Sequence, residues 1–418
     1  MNKIKQLFLL LKNSENRYFY VYIIAFGLFI TPYLLRQQII SQFSPRTFLW
    51  GINYISLFAL FLFVLQNILT SKISIWYFIP VISIIALLPT QLAFPISWGT
   101  IFLFCCCCIF PQCIIYMDFS APDKDRCIRR FLIFFDCIIL ILFITALIDK
   151  IADRFIIKQL AAFLSCDEGV AGFAYLNDSE HTRFFSILGH PLTNAFLFNF
   201  CYALNILYNK HHKTLLPNYA WTVITLLSLI CCGGKTGITV GAIITFLTFF
   251  KKWQFYALTA VSIPIAYISG ILDNLIYRFT KISLTSGRAT GLQYVFLDGR
   301  ISFSFFHGYG SLMDTEYTGT PFWHVHVASE FPLIDHSLRY GIFFALLLLL
   351  PPFIYITIRL WKEKRYLDWL FWSLLYAEVN CYNGFSSCLD VSFIFYFLSF
   401  ILLNISTATD LHTCNKIA

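Results

Sequence analysis

Runs of about twenty apolar residues, the length a helix needs to cross the hydrocarbon core of a bilayer, recur along nearly the whole of this chain. They fall near 18–35, 47–69, 73–93, 95–117, 131–149, 190–208, 217–232, 237–250, 253–271, 338–359, 367–384 and 389–405. A soluble protein carries roughly a quarter charged residues. Here 12% are charged and 58% hydrophobic over 418 residues, and the mean hydropathy is +0.71. The pattern predicts an all-α, polytopic integral membrane protein of about 12 transmembrane helices, read from those runs. The runs at 217–232 and 237–250 are short, and Pro95 divides 73–93 from 95–117. An aromatic share of 19%, with 47 Phe, suits lipid-facing helices and interfacial belts. The first run has no clear cleavage site behind it, so it reads as a span and not a signal peptide.

Orientation follows from where lysine and arginine collect, because short cytoplasmic loops carry the excess. The clusters are Lys3, Lys5, Lys12 and Arg17; Lys124, Arg126, Arg129 and Arg130; Lys210 and Lys213; Lys251 and Lys252; and Arg359, Lys362, Lys364 and Arg365. With every span counted, all of them fall on the side of the N-terminus, so both termini are expected in the cytoplasm. Arg36 and Arg46 run against the rule. A net charge of +8 does not mark a nucleic-acid binder, since the charge sits in loops between apolar runs. The 14 Cys do not form a disulfide framework. Many lie inside apolar runs, as Cys105 to Cys108 and Cys231-Cys232 do, where Cys acts as a small hydrophobe. No ligand spacing for a structural metal appears, and no cofactor is expected.

Two long segments, 150–189 and 272–337, are thereby placed outside. The first opens with Ile151, Phe155, Ile156, Leu160, Phe163 and Leu164 at helical spacing, with Lys150, Asp153, Arg154 and Lys158 between them. That is the signature of a helix lying in the membrane surface. With no internal repeat or low-complexity stretch, residues 1–418 read as one integral membrane domain.

Three features carry chemistry. The stretch from Arg183 to His190, Pro191 and Asn194 leads into a span. His, Pro and Asn there are ordinary helix-start residues, whereas Arg183 is a positive charge on the outer side that an anionic head group would explain. Gly233-Gly234-Lys235-Thr236-Gly237 joins two spans. It is not a P-loop, because Leu229 stands where the first glycine belongs and no strand precedes it. Lys235 is either a snorkelling side chain or a phosphate contact. The segment 272–337 gathers Arg278, Arg288, Arg300, Gly308-Tyr309-Gly310, His324, His326, Glu330, Asp335 and His336. Arginine forks suit phosphate, and nearby carboxylates or histidines could take a proton from an attacking hydroxyl. Glu378, Asn380 and Asn383 lie near the outer end of the eleventh run, and an intramembrane carboxylate is a functional candidate.

In order and placement these features resemble the O-antigen polymerase and O-antigen ligase superfamily. Arg183 to Asn194 looks like the family's Arg followed by Pro-x-x-Asn. Gly234-Lys235-Thr236-Gly237 stands where members often show Ser-Arg-Gly. Ser286-Gly287-Arg288 followed by Gly308-Tyr309-Gly310 is similar to the large-loop pattern. Glu330 to Gly341 resembles the segment that closes that loop. Ligases of the family tend to show His-Asn where this chain has Glu330 and Phe331, which leans towards a repeat-unit polymerase. Lys235 in place of Arg loses bidentate geometry.

The resemblance implies a metal-independent glycosyltransferase at the outer face of a bacterial inner membrane. It would join polyprenyl-diphosphate-linked oligosaccharide repeats into an O-antigen, capsule or exopolysaccharide, with a chain-length regulator as a possible partner. Arg288, with Arg183 and Lys235, would stabilise the departing diphosphate, and Arg300, His324 and His326 would hold substrate. Glu330, Asp335 or His336 would be the base. A ligase of the same superfamily, a lipid-linked oligosaccharide flippase or other transporter, and a non-catalytic assembly factor are the alternatives.

Overall fold

The computed structural model describes residues 17–163 with short gaps, 183–253, 272–281, 301–314 and 331–405 with short gaps, and a few single positions between 254 and 293. The described chain is mostly helical and contains no strand beyond an isolated bridge between Ser186 and Gly189. In chain order the helices are α1 (Arg17–Ile30), α2 (Tyr33–Ile40), α3 (Thr47–Gly51), α4 (Tyr54–Thr70), α5 (Ile79–Ile85), α6 (Leu88–Ala93) and α7 (Trp98–Phe104). After these come α8 (Lys124–Ile151), α9 (Phe155–Phe163), α10 (Pro191–Asn209), α11 (Asn218–Cys232), α12 (Lys235–Phe249) and α13 (Asp273–Thr280). The last four are α14 (Pro332–Tyr340), α15 (Ile342–Lys362), α16 (Tyr366–Asn380) and α17 (Val391–Leu403).

Among the described residues, four helical segments are long and apolar enough to cross a membrane: Ile75–Ala93, Trp98–Tyr116, Lys124–Ile151 and Ile342–Lys362. A fifth arises if α1 and α2, bent by 70°, count as one broken span. Shorter apolar helices, 10–17 residues long, are α4, α11, α12 and α17. The expected run at 253–271 falls mostly outside the described residues. Three of the expected runs are bounded or broken by local features. Pro32 cannot continue α1, so the run at 18–35 breaks there. The run at 47–69 breaks where the Asn53 side chain accepts the Ser56 N–H at 3.1 Å, an N-cap that starts α4. Gly341, at φ +98°, stops α14 before α15 begins.

The solvent pattern is inverted relative to a soluble protein. Exposed apolar side chains include Phe58 (65%), Leu92 (85%), Phe102 (50%) and Ile141 (60%), a surface that water would not tolerate. Gln66, Asn67, Gln112, Asp136, Asn199 and Glu378 are meanwhile at most 1% exposed. Polar groups in hydrocarbon must find partners inside the protein, and this arrangement answers that demand.

The described residues gather into two compact units, one from within 17–131, 301–369 and 379–405, the other from within 132–281 and 370–378. In the first, Phe63, Phe119 and Phe400 meet edge to face at 5.4–6.3 Å, a geometry the ring quadrupole favours. Pro111 follows the cysteine run. Its ring would clash with the carbonyl four residues back, and the helix widens into a π turn over Cys105–Ile109, as such interruptions do. All four cysteines of the run are buried. Arg36, which ran against the charge pattern expected from the sequence, is also buried here. Its guanidinium donates to both carboxylate oxygens of Asp390 at 2.8 and 3.0 Å and to the carbonyls of Thr31, Trp50 and Gly51. All five donors of its fork are used.

In the second unit α10 is buried along nearly its whole length and packs against α11 and α12. The Tyr202 hydroxyl lies 2.8 Å from Thr222 Oγ1 and 3.1 Å from Thr245 Oγ1, tying the three helices together. Asp136 of α8 accepts from Asn205 at 2.7 Å and from the Cys201 thiol at 3.4 Å, so its carboxylate is held inside the helical packing.

Candidate functional site

The lead into α10 is a small closed turn. Gly189 N–H donates to Ser186 O at 2.9 Å, and the Asn194 amide donates to Gly189 O at 3.1 Å and accepts from Ser186 Oγ at 2.6 Å. His190 caps α10 through Nδ1, which accepts the Leu192 N–H at 3.3 Å, and Pro191 takes the first helical position. His190, Pro191 and Asn194 therefore build the turn, which accounts for them as helix-start residues.

What the turn delivers is Arg183. Its Nε donates to Cys232 O at 3.0 Å, and the neighbouring Phe184 N–H donates to Cys231 O at 3.0 Å. The acceptors are the last carbonyls of α11, the negative end of that helix. Gly233 follows at φ +61° with its N–H bonded to Leu229 O and Ile230 O, the left-handed cap that glycine adopts without steric cost. Gly234 is the N-cap residue of α12, and a side chain added there would lie 3.1 Å from Leu192 and 3.8 Å from the Arg183 guanidinium. Lys235 is the first residue of α12, with Nζ 5.7 Å above the Phe279 ring. The structure thus brings Arg183 and Lys235, far apart in sequence, to a single glycine turn. A lysine at a helix N-terminus opposes the helix dipole.

One turn further along α12, a Cβ at Gly237 would sit 2.8 Å from Ala195 Cβ and 3.1 Å from Glu378 Oε1. The closeness lets Asn199 Nδ2 donate both to Gly237 O at 2.9 Å and to the Glu378 carboxylate at 2.9 and 3.1 Å. Glu378, singled out in sequence as an intramembrane carboxylate, is therefore tied to the helix that carries Lys235. Asn380 ends α16, and Asn383 lies outside the described residues.

The first unit holds Asp335 and His336 on α14. Residues 304–309 run beside 338–343: Ile342 N–H donates to Ser304 O at 3.1 Å, Phe343 to Phe305 O at 2.9 Å, and Tyr309 to Leu338 O at 2.8 Å. Gly308 lies so close to the Arg339 backbone that a Cβ would collide with it. The Gly308-Tyr309-Gly310 turn and the segment ending at Gly341, separate patterns in sequence, are one packed structure. His336 is 2% exposed and its Nε2 lies 3.0 Å from Phe385 O. A carbonyl only accepts, so Nε2 carries the proton and Nδ1 the lone pair. Burial lowers the His336 pKa below its ordinary value, against a smaller opposing pull from Asp335. Asp335 Oδ2 stands 3.8 Å from His336 Nδ1 and 3.9 Å from Arg339 Nε. Among the described residues neither Asp335 Oδ1 nor His336 Nδ1 has a hydrogen-bond partner. Two acceptors in a shielded position can take a hydroxyl or a proton.

Arg288, Arg300, His324, His326 and Glu330 lie outside the described residues, and the Arg278 side chain does also. Sequence inspection missed Asp136, whose interior position within a long apolar run was its one signal, and Asp390, the partner of Arg36.

Comparison of the chain with protein-family models, with curated proteins and with solved structures finds no match.

Proposed function

We propose that this chain polymerises polyprenyl-diphosphate-linked oligosaccharide repeats into a surface polysaccharide at the outer face of a bacterial inner membrane. The proposal takes the full set of about twelve spans read from the sequence, with both termini cytoplasmic and the segments 150–189 and 272–337 outside. The observation that carries it is the meeting of Arg183 and Lys235 at the Gly233–Gly234 turn. Two cations at the end of apolar helices are what a lipid-borne diphosphate requires.

In the reaction the acceptor hydroxyl attacks the anomeric carbon while the bond from that carbon to the phosphate oxygen breaks. The lipid diphosphate leaves with the electron pair, and the hydroxyl proton passes to a base. Attack from the opposite face inverts the anomeric centre. Arg183 and Lys235 stabilise the developing negative charge, the role the resemblance also gives to Arg288, and Arg300 is assigned to substrate binding. His324 and His326 hold substrate, and the base is Glu330, Asp335 or His336. Of these, Asp335 and His336 supply unpartnered acceptors. A chain-length regulator would act on this polymerase from outside the chain.

Arg183→Ala tests the assignment. Surface glycan is run on a gel and lipid-linked intermediates are extracted from the same cells. The expected result is loss of the polymer ladder with single repeats still at the outer face. Long polymer held on the carrier assigns the chain to the ligases, and an unchanged ladder removes Arg183 from the site. A transporter reading draws on the buried Asp136 and Glu378, because intramembrane carboxylates mark ion and proton paths. Repeats trapped on the cytoplasmic side would favour it.

A further inference from the structure

Residues 301–309 form neither helix nor strand, yet the backbone there finds partners inside the protein. Ser304 O and Phe305 O accept the first two N–H groups of α15, from Ile342 and Phe343, donors that a helix start leaves open. Gly308 N–H donates to Thr90 Oγ1 at 3.0 Å, and Tyr309 N–H to Leu338 O. The Tyr309 hydroxyl reaches back along the segment, taking the Ser302 N–H at 3.0 Å and donating to Ser302 O at 3.2 Å. One side of the segment packs inward, where Ile301, Phe303 and Tyr309 join Met313, Ile334 and Leu338.

The other side carries two phenylalanines. Phe305 is 49% and Phe306 60% exposed. Their rings meet edge to face at 4.8 Å and stand 5.8 and 6.0 Å from the Phe343 ring. Phe343 heads a stripe along α15 that continues through Leu347, Leu350, Ile354 and Ile358, spacings that fall on one helix face. Leu350, Ile354 and Ile358 are exposed, whereas Phe344, Leu348, Ile356 and Leu360, on the other face, are buried. When α15 spans a bilayer, the exposed stripe meets lipid, and Phe305 and Phe306 stand at its head.

Depth follows from length. The 21 residues of α15 rise about 31 Å, the thickness of the hydrocarbon core, so Ile342 sits at the edge of that core. A segment bonded to the first two residues of α15 lies at the same edge. Thr90, in the last turns of the apolar segment Ile75–Ala93, bonds both Gly308 and Tyr340 O, the latter at 2.9 Å, and so ties residues 301–309 to the end of a second span. Irregular backbone is tolerated at membrane depth only where protein satisfies it. In an aqueous loop water would serve these groups, and two adjacent outward rings would be unfavourable. We infer that residues 301–309 are embedded in the bilayer surface, with Phe305 and Phe306 inserted among the acyl chains beside α15. The long segment expected outside the membrane is thereby divided, and α14, with Asp335 and His336, is set at the level of the bilayer surface. The inference rests on α15 as a span and not on the polymerase reading.

The test uses the full chain in phosphatidylcholine nanodiscs, with Phe306 replaced by trifluoromethylphenylalanine and read by fluorine NMR. Two relaxation agents are compared: a phospholipid carrying a nitroxide near the head of its acyl chain, and a water-soluble nickel chelate. The same probe at Ile354 gives the lipid limit, and at His211, exposed just after α10, the aqueous limit. At 306 the lipid agent is expected to act several-fold more strongly than the chelate. Phe305→Ser removes one ring outside the packed side, so monodisperse protein is expected, with the preference at 306 shifted towards the chelate. A response at 306 equal to that at 211 overturns the inference. Protection from both agents does so too, because another part of the chain would then cover the rings, and so does an unchanged preference in Phe305→Ser. If the probe at 306 prevents folding, the same comparison with the probe at 305 decides.

Discussion

Arg36 and Arg183 are the same side chain in two opposite settings. Arg36, 8% exposed, spends every donor on Asp390 and three carbonyls. Arg183, half-buried, donates its Nε to the last carbonyl of α11 and lines a cleft together with Lys150 and Arg154. A cation whose donors are all closed on protein groups is architecture. Three cations gathered at one cleft make a local positive potential that a single cation closed on its own carboxylate does not. The contrast also shows why a count of lysines and arginines cannot sort these residues: both run against the orientation expected from the sequence, in unlike settings.

The largest expected effect would break the architectural side of that contrast. Arg36→Ala leaves Asp390 as a buried carboxylate without its partner, at a cost of about 3–5 kcal/mol. Little monodisperse protein is expected by fluorescence-detected size-exclusion chromatography; a normal yield with an unchanged melting temperature would place Arg36 with Arg183. Next in size is Gly237→Ala, where the new methyl meets Ala195 and Glu378. Overpacking of this kind costs about 1–3 kcal/mol, read as a lower melting temperature. Arg183→Ala removes the bond to the Cys232 carbonyl, worth about 1 kcal/mol, and the protein is expected to stay folded while the polymer ladder disappears. A loss of stability as large as that of Arg36→Ala would erase the distinction.

The smallest effect is a pH dependence at His336. Its folded pKa lies below the unfolded value because burial disfavours the charged ring. Below the unfolded pKa the unfolded chain binds a proton that the native site resists, so stability is present at higher pH and lost as pH falls. Melting temperature is expected to drop through the mildly acidic range, and His336→Gln to flatten that slope. An unchanged slope would mean that the ring charges in place.

Much of the helical framework was legible because apolar runs and breakers act locally. Pro32 and the caps at Asn53 and His190 follow from rules that involve a few neighbours. The number of full spans was less legible, because a run such as 47–69 carries enough hydrophobicity for a crossing while Asn53 starts a new helix inside it. Arg183 and Lys235 were recognisable singly, as cations out of place. Their meeting was not, since it depends on the fold of the Ser186–Asn194 turn and on the cap at Gly233. The depth of residues 301–309 was not legible either, because in sequence they belong to a long segment between spans and only their bonds to the start of α15 tie them to one.

Composition and periodicity by themselves determined that this chain is helical and apolar enough to suit a membrane, because the hydrophobic effect and backbone hydrogen bonding are satisfied run by run. Only the tertiary structure decided which polar groups are spent. Arg36 is closed by a residue at the far end of the chain, Glu378 is held by Asn199, and Asp335 Oδ1 is left over among the described residues. Hydrogen-bond partners of buried groups are matched across the fold and not along the chain, so no local pattern in the sequence tells which groups stay unmatched.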